Sequence, residues 1–183
     1  TSLLMIAPYA EDKVRIKVVN GLHSRPYVDM TLDIMRDFGV DVINLDYKEF
    51  LVNNGQKYQG GHYRIEGDYS SAAYFLAAGA IGGGPVSVTN MNTDSMQGDR
   101  HLLDILAEMG CFVDCQKEQV RISRNRELKS ITIDMGDYPD IAQTVAIIAA
   151  YARGKTEIIN IGHLKFKETD RISNTAVELG KMG

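Results

Sequence analysis

The chain has 183 residues, 44% of them hydrophobic, and a net charge of −4, enough material for a real core in one domain or two small ones. No basic excess points to nucleic acid, and no apolar run approaches the roughly 18 residues of a membrane span. The two cysteines, Cys111 and Cys115, alternate with Val113 along an expected strand and have no neighbours at metal-ligand spacing. They read as reduced residues on one strand face of a cytoplasmic protein, and no metal or cofactor is expected.

In chain order the sequence repeats itself. Residues 32–38 read as a helix closed by Gly39 and followed by a strand; 103–109 with Gly110 do the same, and 176–182 begin it again before Gly183. These glycines lie 71 and 73 residues apart. A second register agrees: helices ending near Ala7, Ala78 and Ala150 lead into strands over 14–19, 86–91 and 156–161. The turn Gly67-Asp68-Tyr69 recurs as Gly136-Asp137-Tyr138, each time before an apolar helix.

Residues 67–135 carry one whole unit. A helix over 70–80, capped by Asp68 or Ser70 and stopped by glycines 82–84 and Pro85, precedes a strand over 86–90. A second helix over 99–109 leads to strands over 111–115, 119–123 and 130–134, the last with strict alternation. The first unit has strands over 50–52 and 62–66, separated by Asn53-Asn54-Gly55 and Gly60-Gly61; the third has a helix over 139–151. The pattern predicts an α/β (α+β) fold of repeated units with helices packed on mixed sheets. Residues 1–66 form an incomplete unit, and 67–183 hold the complete unit 67–135 and a truncated unit 136–183. Thr1 in place of Met, and no strand after Gly183, read as a piece of a longer protein. Alone it is expected to be inactive and association-prone through unpaired edges.

Fifteen positions before each capping glycine stand Ser24, Ser95 and Glu168, all at the opening of a second helix. Helix openings favour anions. Ser95 reads as a plain N-cap. Ser24-Arg25-Pro26-Tyr27 and Lys167-Glu168-Thr169-Asp170-Arg171 carry more charge and polarity than capping needs, and Thr169 or Glu168 is expected to open the last helix. Asp140 after Pro139 is helix-start chemistry by itself. Its counterpart region Ser70-Ser71-Ala72 has no acid, which makes the acid specific to the unit of Lys167 and Glu168. His163 is polar lining or a loop residue; His23, His62 and His101 have no partner in sequence.

These stretches together resemble the 5-enolpyruvylshikimate-3-phosphate synthase family. The resemblance rests on Ser24-Arg25-Pro26-Tyr27 with Asp29 and Thr31, Phe38-Gly39-Val40 and Glu66-Gly67-Asp68-Tyr69-Ser70-Ser71-Ala72. It continues through Met96-Gln97-Gly98-Asp99, Pro139-Asp140 and Lys167-Glu168-Thr169-Asp170-Arg171. It implies the two-lobed enolpyruvyl transferase fold of βαβαββ units, with the site between the lobes and the chain crossing near Glu66-Gly67. The implied reaction moves enolpyruvyl from phosphoenolpyruvate to the 5-hydroxyl of shikimate 3-phosphate in a monomeric parent, without cofactor. Ser24 and Tyr27 are then expected to hold shikimate 3-phosphate, with His163 among the substrate contacts. Asp140 would serve as base with Lys167 assisting, Glu168 would protonate the methylene, and Arg171 would grip phosphoenolpyruvate. His163 stands where the family often has Asn, and Arg25 where it often has Lys. Two alternatives are a sister enzyme acting on UDP-N-acetylglucosamine and a non-catalytic phosphate-binding repeat module. The lysine–glutamate stretch and Ser24-Arg25-Pro26-Tyr27 argue against the first, and Asp140 in the unit of Lys167 and Glu168 argues against the second.

Overall fold

Hydrophobic alternation over 14–17 and 49–52 builds the first sheet of the computed structural model, which describes residues 1–183. Helix α1 (Ser2–Ile6) and strand β1 (Val14–Lys17) precede α2 (Arg25–Asp37), β2 (Val42–Leu45) and β3 (Glu49–Val52). β3 lies between antiparallel β1 and β2, so Val52 stands opposite both Val14 and Val42. Phe50 and Val52 point into a core with Leu4, Val28, Met35 and Val40. Gly39, at φ +83°, ends α2 in the left-handed region that an L side chain avoids. That turn lets the Gly39 and Val40 amides bond the carbonyls of Arg36 and Met35, both at 2.9 Å.

The strand expected over 62–66 does not form. β1 and β2 already occupy both sides of β3. Alternation gives a segment two faces, but only a backbone partner makes it a strand.

The later residues hold α3 (Tyr69–Gly82), β4 (Val86–Thr89), α4 (Leu102–Glu108), β5 (Phe112–Gln116), β6 (Gln119–Ser123), β7 (Leu128–Lys129) and β8 (Thr132–Asp134). They continue with α5 (Ala142–Ala149), β9 (Ala152–Arg153), β10 (Glu157–Ile159) and α6 (Arg171–Met182). The sheet order β4-β6-β5 copies β1-β3-β2, so the sequence repeat is a repeat of topology. The third copy supplies β10, which pairs in parallel with β8. Two short strands that alternation did not announce, β7 and β9, also pair in parallel. Mixed pairing with helices against the sheets is the architecture expected.

α3 is apolar nearly all round, and only part of that surface is covered: Tyr74 and Phe75 stand exposed on one face. Ala73, Leu76 and Ala80 are fully buried, in one core with Leu102, Leu106, Val120, Ile122, Ile141 and Val145. By contacts the chain divides into two units, Thr1–Ile65 and Glu66–Gly183. No helix is long and apolar enough to cross a membrane. The two cysteines do not share an environment: Cys111 is buried just before β5, whereas Cys115 is exposed on that edge strand.

The stretches Glu66–Ala72 and Met96–Asp99 meet in a brace. The Gln97 amide donates to Glu66 at 2.8 Å and to the Gly67 carbonyl at 2.9 Å, and its oxygen accepts from the Tyr69 amide at 2.8 Å. Gly67 is required there, because a Cβ would lie 2.7 Å from the Asn90 carbonyl oxygen. Asp68 caps α3 by accepting from the Ser70 and Ser71 amides. Ser95 is not the helix cap expected of it. Its hydroxyl donates to Glu66, and the helical turn begins later, at Gly98.

Candidate active site

Pro139 fixes the first turn before α5 and places Asp140 in it, half-buried. α6 opens on the charged stretch, but neither Thr169 nor Glu168 caps it. Asp170 does, accepting from the Ile172 amide at 3.1 Å, the Ser173 amide at 3.0 Å and the Ser173 hydroxyl at 2.8 Å. Those bonds hold the Asp170 carboxyl below the usual range for an aspartate. A carboxylate is a stronger cap acceptor than a threonine hydroxyl, and the Thr169 hydroxyl instead accepts from the Asn174 amide. The helix opening therefore spends its free N–H groups on its own acid. Any anion held here meets side-chain cations instead.

The cation is Arg171. Its Nε and Nη2 donate to the two Glu168 carboxylate oxygens at 2.8 and 2.9 Å, and its Nη1 donates to Asp140 Oδ1 at 2.7 Å. The arginine side chain is only 17% exposed, Asp140 33% and Glu168 63%. The fork of bonds from Arg171 holds the Glu168 carboxyl below its usual range, and the two acids push the guanidinium pKa up. The Arg171 stem helps line an apolar cavity of about 180 Å³ with Ile158, Leu164, Ile172 and Leu179. Gln143 of α5 donates to Thr175 of α6 at 3.2 Å, which ties the two helices together beside the cluster.

Of the other expected residues of Glu66–Gly183, Lys167 is exposed and has no ion pair. His163 is half-buried in the helical turn Gly162–Phe166, which buried Leu164 anchors. Ser24 and Tyr27 belong to the unit Thr1–Ile65. Ser24 occupies the N-cap position of α2, yet its backbone is left-handed, at φ 57° and ψ 45°, and its hydroxyl makes no capping bond. A non-glycine residue in that region carries strain of order 1–3 kcal/mol, which the surroundings must hold. In the first turns of α2 the Thr31 hydroxyl donates to the Tyr27 carbonyl, and Asp29 accepts from the Tyr47 hydroxyl, both at 2.7 Å. The Arg25 guanidinium lies 5.1 Å from the centre of the Tyr47 ring.

The contact between Asp140 and Arg171 joins residues 31 positions apart, and no local pattern announces it. The one sequence signal was that only the third unit has an acid at that place. No group of three or more His, Cys, Asp or Glu side chains is arranged to hold a metal ion. What the cluster offers is a cationic fork, two carboxylates able to carry protons, and an exposed lysine next in sequence to one of them.

The family model described as EPSP synthase (3-phosphoshikimate 1-carboxyvinyltransferase) matches residues 1–183. The 3-phosphoshikimate 1-carboxyvinyltransferase of Vibrio atlanticus is 48% identical over 184 residues, and that of Methanoculleus marisnigri 45% over 183. Both matches take in all of this chain and 43% of the relative, so the chain spans under half the length of these curated relatives. Among solved structures, an EPSP synthase of Acinetobacter baumannii superposes with TM-score 0.74 at 24% identity, over 96% of this chain and 40% of that one. The enolpyruvyl transferase NikO of Streptomyces tendae superposes with TM-score 0.67 at 19% identity, over 85% of this chain and 37% of that one.

Proposed function

The chain belongs to the EPSP synthase family, and from that premise we propose the reaction of a full-length protein carrying it. That protein transfers the enolpyruvyl group of phosphoenolpyruvate to the 5-hydroxyl of shikimate 3-phosphate and releases phosphate, as a cytoplasmic monomer of the shikimate pathway. The observation that carries this reading is the convergence of Asp140 and Glu168 on Arg171. Addition followed by elimination needs a base at a hydroxyl, an acid at a carbon, and fixed cations for anionic substrates. The cluster contains that set.

In the addition, Asp140 takes the proton of the 5-hydroxyl as its oxygen bonds C2 of phosphoenolpyruvate. Glu168 gives a proton to C3, which becomes a methyl group. In the elimination the C2–O bond to phosphate breaks, phosphate leaves with the electron pair and takes the proton held by Asp140, and the methyl returns a proton to Glu168 as the double bond re-forms. Arg171 grips the phosphoenolpyruvate carboxylate, a planar group that suits its fork. Lys167 assists Asp140, and His163 is a further substrate contact. Ser24 and Tyr27 hold shikimate 3-phosphate, with the unspent Ser24 hydroxyl as donor. We assign residues 1–66 to one lobe of the family fold and 67–183 to the other.

The test is phosphate release by the full-length protein with phosphoenolpyruvate and either shikimate 3-phosphate or UDP-N-acetylglucosamine. Release with the first is expected. Turnover of the UDP-sugar and none of shikimate 3-phosphate overturns the assignment.

A further inference from the structure

The fork of Arg171 is already taken. Glu168 fills its Nε/Nη2 edge with two bonds, and Asp140 holds Nη1 with one. A carboxylate that binds an arginine through two bonds needs one whole edge of the guanidinium, and Asp140 blocks the Nη1/Nη2 edge. We propose that Glu168 is a resident occupant of Arg171, and that the carboxylate of phosphoenolpyruvate docks by displacing it, so that substrate binding itself frees the proton carrier. This rests on the reading of Arg171 as the phosphoenolpyruvate grip.

The geometry says which partner moves. Arg171 is fixed, with its stem in the apolar cavity beside Leu164 and Ile172 and its outer nitrogen on half-buried Asp140. Glu168 lies before the Asp170 cap, outside the helix, with a side chain 63% exposed. A swing of Glu168 breaks its two bonds to Arg171 and the one its carboxylate accepts from its own backbone amide, and it moves a side chain that is mostly in solvent. The exchange trades one carboxylate for another on the same edge. An anion that cannot make both bonds is rejected, because it loses more than it gains.

Displacement also changes Glu168 itself. Paired with Arg171, its carboxyl sits below the usual range; away from the fork it returns upward. Between those two values, binding takes up a proton. Of the neighbouring elements, the turn before α5 brings Asp140, the turn before α6 brings His163 and Lys165, and α6 adds its cap Asp170. α5 itself carries no titratable side chain.

The experiment uses the full-length protein, with ¹³C-labelled glutamate carboxyls followed by NMR during titration with phosphoenolpyruvate and, separately, with oxalate. The Glu168 midpoint is expected to rise on saturation, and Glu168→Gln to bind the anion about 2–5-fold more tightly, the worth of one exposed ion pair. An unmoved midpoint, or Glu168→Gln with unchanged or weaker binding, overturns the displacement while leaving the substrate assignment intact. Oxalate that raises the midpoint where phosphoenolpyruvate fails to bind supports the displacement and overturns the substrate assignment. Binding of neither anion overturns the displacement, because Arg171 is then no receptor.

Discussion

The openings of α2 and α6 are equivalent in the repeat and opposite in how they use their residues. At α6 the cap is spent: Asp170 takes the first-turn amides, and Arg171 is tied to Glu168 and Asp140. At α2 the cap is unspent: Ser24 stands at the N-cap with a left-handed backbone and no capping bond. The difference teaches how to tell a structural polar residue from an available one. Asp170 is explained by the fold. The strained Ser24, the forked Glu168 and the exposed Lys167 are not, and these are the residues assigned to substrate.

The largest effect expected from breaking this contrast is at Glu168. Glu168→Gln keeps the shape and loses the proton, so turnover should fall by roughly 10²–10⁴-fold. Affinity for phosphoenolpyruvate should not weaken with it. Steady-state rates beside binding isotherms check this, and a near-normal kcat removes the acid role. Next comes Arg171→Lys, which replaces a fork by a point charge. Phosphoenolpyruvate should bind on the order of 10–100-fold more weakly, the value of a charged hydrogen bond, while shikimate 3-phosphate is spared. Equal loss of both substrates in calorimetry would assign Arg171 to holding the loop.

How much of this was legible in sequence depends on the range of each interaction. Gly39 and Gly110 were readable as caps because a positive φ is a local demand, and both have one. β6 was read at its true bounds, because alternation and a tight turn are local too. The failures are matters of pairing. Residues 62–66 alternate without a strand partner, and β7 with β9 pairs across 24 residues on two positions each. Thr169 and Asp170 are both good caps on paper, and only the packed helix selects the carboxylate. Within the candidate site, Glu168 with Arg171 is a helix-range contact of three residues, whereas Asp140 reaches Arg171 through the packing of α5 on α6.

Smaller effects sharpen the same contrast. Asp170→Ala removes a cap in use and should lower the melting temperature by about 2–4 °C. The Asp170 carboxyl is depressed in the fold, so its contribution is complete above the usual aspartate range and is lost as pH falls through its folded value. The deficit of the variant should therefore shrink in acid; a deficit constant across that range points to a cause other than the cap. Ser24→Ala removes a cap not in use. It should change stability by no more than about 0.5 kcal/mol, while weakening shikimate 3-phosphate. A thermal loss as large as that of Asp170→Ala would show that Ser24 is spent after all.

The central claim is that the acids gathered on Arg171 carry the chemistry. Phosphate release from phosphoenolpyruvate and shikimate 3-phosphate by the full-length protein, beside its Asp140→Asn variant, tests this most directly. Asparagine keeps the size and the hydrogen bonding of the side chain but cannot take the hydroxyl proton. The account predicts release slowed by roughly 10²–10⁴-fold with the protein still folded; release at the rate of the unaltered protein would contradict it.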